Sequence, residues 1–216
     1  MEINKDIIEG LLVASHLFEG ELIFSISDEP LVEKTLRLKA SDSLGFISIE
    51  HAAALRFLIN KAQCNTSAVA LFRLQYEALL KALWTFYIAT DEQIDLIVGD
   101  LSDERAEKNN RDLPSVSKML KQLEDANTPA HHTILQLIQF KDIAWKPLNS
   151  FVHSGLHAVK RNMHGYPDEL IFAVIKQSNN LMYISAYSLA FNTGSQEILE
   201  NISRTRKNFK DCLQLF

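Results

Sequence analysis
The chain has 216 residues, 47% hydrophobic and 23% charged, which excludes a disordered polar chain and gives length for one large buried core and not two. Seven Gly and five Pro are few, which speaks against a turn-rich sandwich or barrel and for long helices. A net charge of −5 disfavours a general nucleic-acid binder, and Cys64 and Cys212 are too few for a disulfide framework or a Cys-rich zinc site.

The first segment places Ile3, Ile7, Leu11, Phe18 and Leu22 at helical intervals and predicts a helix to about Ile26, stopped by Asp28 and Pro30. Its opening, MEINKDIIEG, lacks a basic stretch followed by an apolar one, so no export signal is expected and the protein is read as cytoplasmic. A second helix is expected from near Leu31, a break at SDSLG (41–45), and a further helix over residues 46–62. Asn65, Thr66 and Ser67 offer an N-cap for the longest and most apolar helix, over residues 67–89, after which Asp91 caps again.

The run GDLSDERAEKNNRDLP (99–114) reads as an exposed loop with room for one frayed helical turn, and as the one internal boundary. Residues 91–112 hold eight acids against Arg105, Lys108 and Arg111, so the whole net charge of −5 sits there (3 − 8). Pro114 opens a helix over residues 115–125, NTP (127–129) precedes another carrying Ile134, Leu137, Ile138 and Phe140, and a segment from 141 to about 157 follows. GYPDE starts a long helix over residues 167–191, and after NTGS a final amphipathic helix reaches the end. The apolar run 181–191, interrupted by Ser185 and Ser188, is too short for a bilayer span, so no membrane insertion is expected. The fold class predicted is all-α: a single-domain bundle, 1–216, built round a long central apolar helix.

Polar residues interrupt the apolar faces at three places. Arg73, Glu77 and Lys81 form an i, i+4 ladder on the central helix, with Arg73 set between Val69, Leu80 and Trp84; it is either an ion-pair stripe or a positioned site group, and Arg73 and Glu77 are expected to be paired and partly buried. His51 falls at the centre of a stripe of Ile47, Ala54, Leu55 and Leu58, with Glu50 beside it and Arg56 on another face, which predicts a buried imidazole. Asp142, Lys146, Asn149, His153 and His157 share one helical face, a solvated seam or a site, unless Gly155 ends the helix before His157, and His153 is expected at a polar cleft near Arg73. The basic cluster Arg204, Arg206, Lys207 and Lys210 alternates with Glu197, Glu200 and Asp211, as a solvated face does more than an RNA groove.

Several chemistries find no motif. No Glu is followed three residues later by His, as a carboxylate-bridged di-metal bundle needs, and the adjacent His131 and His132 cannot both face one ion from a helix. H-E-x-x-H, a phosphate-cradling Gly-rich loop and G-x-S-x-G are all missing, so neither a metal nor a cofactor is expected.

The stretches EHAAALRFLI (50–59), SAVALFRLQYEALLKALW (67–84), LNSFVHSG (148–155) and GYP (165–167) resemble landmarks of an uncharacterised bacterial all-helical family, itself distantly similar to the HEPN superfamily. Many HEPN members are RNases or toxin components that act as dimers. The resemblance implies an HEPN-like bundle, a homodimer, and Glu50, His51, Arg73, Glu77, Asn149 and His153 as polar landmarks. The nuclease members carry Arg followed by His after four to six intervening residues; no arginine here has that partner, and Lys146 with His153 comes nearest. The leading functional reading is a non-enzymatic interaction or ligand-binding module, open to a protein partner, with His51, Glu50, Glu77 and Trp84 as binding residues. The alternative is a metal-independent RNase: His153 as general acid or base, Arg73 or Lys146 neutralising a phosphate, Asn149 orienting it.

Overall fold
Apolar residues on almost every side of residues 65–87 require neighbours all round, and the architecture supplies them. The computed structural model describes residues 2–27, 35–100 and 102–214, and among them there are ten α-helices and no strand. They are α1 (Lys5–Ser27), α2 (Leu36–Phe57), α3 (Asn65–Tyr87), α4 (Asp91–Val98), α5 (Asp103–Asp112), α6 (Val116–Asp125), α7 (His131–Val152), α8 (Leu156–His164), α9 (Asp168–Thr193) and α10 (Gln196–Asn208). The fold is all-α, as the periodicity predicts. None of these helices is long and apolar enough to cross a membrane.

The central helix α3 packs against α2, α6, α7 and α9, and α9 in turn against α1, α2 and α10. Two hydrophobic clusters result. The larger surrounds Tyr76, Leu79, Leu80 and Trp84 of α3. The smaller joins Phe18 and Leu22 of α1 to Ala52 of α2, Met182 and Ala186 of α9 and Ile202 of α10. Trp84, placed among the binding residues by the sequence reading, is fully buried and its indole N–H donates to Gln122 Oε1 at 2.8 Å, so it is a core side chain.

Local details correct the sequence reading: Cys64 precedes α3 with no side-chain cap, so Asn65, Thr66 and Ser67 lie inside that helix, and Thr90 rather than Asp91 caps α4. The expected start near Leu31 lies outside the described residues, and α2 begins at Leu36, N-capped by the Thr35 side chain. SDSLG is no break. It continues α2, because Ser41 Oγ donates to Ala82 O at 3.1 Å and Gly45 lets α9 come close: a Cβ there would lie 3.1 Å from Leu189 Cδ2. The expected loop at 99–114 contains α5, which has no apolar face; Ser102 caps it and Asn109 Nδ2 donates to Leu96 O at 2.8 Å. Finally, the helix expected to carry residues 134–140 and the segment expected over 141–157 are joined up to residue 152 in one helix, α7, with Pro147 inside it; His157 lies beyond Gly155 on the next helix, the arrangement that Gly155 allowed.

The face of α2 is also rotated from the one expected. Ile47 is exposed, Glu50 is exposed and His51 is only half-buried, whereas Gly45, Ser48, Ala52, Leu55 and Arg56 point inward. Small and polar residues occupy the contact because α2 and α9 approach closely across α3. Ser48 Oγ donates to Gln75 O at 3.0 Å and accepts from Ser185 Oγ at 2.9 Å, while Gln75 and Ser178 exchange two bonds, Nε2 to Ser178 O at 2.8 Å and Ser178 Oγ to Gln75 Oε1 at 2.7 Å. Hydrogen bonds paired in this way offset the cost of desolvating the buried groups and fix the register of three helices.

Candidate functional site
The residues singled out on α3 and α7 do meet in part. Arg73 pairs with Glu77 at 2.7 Å, the two side chains only 13% and 19% exposed, and its guanidinium also donates to Asn149 Oδ1 of α7. The same guanidinium lies 4.4 Å from the ring centroid of Trp145, which packs edge-on against Tyr76. A carboxylate, an amide and an aromatic face therefore occupy Arg73, and the group joins α7 to α3. Arg73→Ala is expected to destabilise the chain by more than the ~1 kcal/mol of an exposed pair and less than the ~3–5 kcal/mol of a fully buried one. Urea denaturation checks this, and an unchanged midpoint would show that the cluster does not hold the two helices together.

The other members of the seam are dispersed. Asp142, Lys146 and Asn149 are exposed, and His153, also exposed, ends α7; its backbone N–H donates to Asn149 O at 3.1 Å. His157 starts the next helix, where its N–H donates to Ser150 Oγ at 2.9 Å, after Ser154 turns the chain at φ 54°. The RNA-cleaving reading gains nothing from this arrangement, because the one arginine near Asn149 is already engaged by Glu77. His51 sits apart on α2 beside exposed Glu50, and burial lowers its pKa from the usual 6.5 while Glu50 works against that shift.

Two polar constellations were not anticipated. The first is internal. Arg56 of α2, only 5% exposed, pairs with Glu19 Oε2 of α1 at 2.7 Å and approaches Asn179 Oδ1 at 3.5 Å. Asn179 Nδ2 donates onward to Ser15 Oγ at 2.7 Å and to Cys212 O at 2.9 Å, so the network ties α1, α2, α9 and the C-terminal turn together. Burial works against the Arg56 charge and Glu19 sustains it.

The second is a cleft of about 520 Å³ between the C-terminal part of α3, the start of α7, and facing stretches of α9 and α10. Tyr183, Tyr187 and Phe191 come from one face of α9, Tyr87 from α3, and Arg206 from α10. The exposed Arg206 lies 4.9 Å from the Tyr183 ring centroid, and the Tyr183 and Tyr187 rings are 6.0 Å apart. Across from them, His132 and Gln136 of α7 stand 3.4 Å apart, Nε2 to Nε2. Burial pushes the Tyr183 and Tyr87 phenols up, with Arg206 pulling the first back, so both keep their protons through the neutral range. The mouth is open, since Tyr187 and Phe191 remain 39% and 41% exposed. Among the described residues, no three His, Cys, Asp or Glu gather as a metal site would need.

A family model matches residues 45–215, four-fifths of the chain. The chain belongs to DUF6988, a family of unknown function. The DUF6988 match takes in every helix that lines the cleft and the whole Arg73 cluster, and it leaves out α1 with Glu19. No curated protein and no solved structure matches the chain.

None of the residues proposed from the sequence lines the cleft. Its signal was nevertheless present: Tyr183, Tyr187 and Phe191 recur at i, i+4 and i+8 on α9, a large aromatic row on a helix whose opposite side already supplies the core. Arg206 was read only as part of a solvated basic face.

Proposed function
We propose that the chain is a small-molecule-binding module and that the cleft between α3, α7, α9 and α10 is its site. The observation that carries this is the cleft itself, about 520 Å³ with aromatic walls and a few converging polar groups. Small-molecule sites have this make-up and occupy about 300–1,000 Å³. Apart from Pro129 and Ala130 in the turn before α7, its walls come from packed helices, so little conformational entropy opposes binding. The Arg73 cluster supports this reading by default: its polar groups satisfy one another.

Ser188 lines the cleft and is half-buried, so Ser188→Phe fills part of the space without removing a core contact. Aromatic fragments found by ligand-observed NMR are expected to bind Ser188→Phe about tenfold or more weakly, with an unchanged melting temperature. Fragments that bind the variant as well as the parent would place their site elsewhere. The single-domain, bacterial, cytoplasmic, HEPN-like and dimeric expectations from the sequence are not needed for this proposal.

A further inference from the structure
We infer that the cleft selects a small planar aromatic anion, held by stacking on its tyrosines and by the Arg206 guanidinium. The inference rests on the ligand-binding reading above and adds the chemical class. Arg206 is the one permanently charged group in the lining, and among the described residues that line the cleft there is no Asp or Glu. This is the reverse of the chain as a whole, which carries a net −5. Nor does a described carboxylate pair with Arg206: its partner is the Tyr183 ring, 4.9 Å away.

The contact with Tyr183 leaves the guanidinium without a described carboxylate partner at the edge of the cleft, and an Arg fork suits a carboxylate or a phosphate. An isolated cation beside aromatic walls also repels a cationic ligand and gains little from a neutral one. The phenols of Tyr87, Tyr183 and Tyr187 and the amide of Gln136 add further donors to the lining. The flat faces of Tyr183, Tyr187 and Phe191 favour a ring over a flexible aliphatic chain.

The test uses three probes of one shape and different charge, 2-naphthoate, 2-naphthamide and 2-naphthylmethylammonium, titrated into the full chain by calorimetry. The carboxylate is expected to bind about tenfold more tightly than the amide, and the ammonium most weakly, with the advantage shrinking as salt is raised. Arg206→Met keeps the length of the side chain without its charge; it should bring the carboxylate down to the amide's affinity and leave the amide's unchanged. An amide that binds the parent as tightly as the acid, or an Arg206→Met chain that keeps the acid's advantage or weakens both probes alike, overturns the anion selectivity and leaves the cleft as a binding site. Failure of all three probes to bind the parent chain overturns both.

Discussion

Glu19→Ala is expected to lower the unfolding free energy by about 3–5 kcal/mol, because it strands a buried charge. Arg56 is 5% exposed and Glu19 Oε2, at 2.7 Å, is its only carboxylate partner among the described residues. The Arg56 side chain is 6% exposed, which leaves little room for water to replace the carboxylate, whose own side chain is 18% exposed, and Arg does not give up its proton to escape. The loss should be specific to breaking the pair. A double variant, Glu19→Leu with Arg56→Met, removes both charges and keeps apolar volume, and is expected to recover most of the stability. Urea denaturation of the parent, the single and the double variant decides it: a single variant within about 1 kcal/mol of the parent, the range of a surface pair, would mean the charge reaches solvent.

Trp84→Ala is expected to cost about 3–5 kcal/mol, the range for deleting a large buried aromatic side chain. Trp84 is 0% exposed at the centre of the larger cluster, and its loss also leaves Gln122 Oε1, the acceptor 2.8 Å from the indole N–H, without that donor. Trp84→Phe keeps most of the volume and should cost less than half as much. Thermal denaturation with both variants checks the order. Equal and small losses would contradict the placement of Trp84 in a tight core and restore it as a candidate contact residue.

The helical class was legible because it depends on residue spacing along each segment, and α3 in particular announces its central place by being apolar on nearly every side. Faces were less legible. On α2 the hydrophobic residues Phe46, Ile47 and Phe57 lie outward and Gly45, Ser48 and Arg56 inward. Close helix approach favours small side chains there, and a buried Arg is tolerable only because Glu19, 37 residues earlier, is brought beside it by the tertiary fold. The helix α5 was missed because it has no apolar side at all; its cap at Ser102 and the Asn109 bond to α4 hold it. Of the site residues, the Arg73 and Glu77 pair could be read from i, i+4 spacing, and Asn149 joined them from a different helix. Of the cleft, the row Tyr183, Tyr187 and Phe191 is legible in the spacing along α9, but Tyr87, His132 and Arg206 share no local pattern with it and meet it only when four helices pack.

Amide chemical-shift mapping with 2-naphthoate on the isotope-labelled full chain locates the bound ligand. Saturable shifts are expected to be confined to residues 83–87, 129–136, 180–191 and 203–206, the stretches of α3, of α7 and the turn before it, of α9 and of α10 that face the cleft. Shifts centred instead on Arg73, Trp145, Asn149 and His153, or no saturable shifts anywhere in the chain, would contradict this expectation.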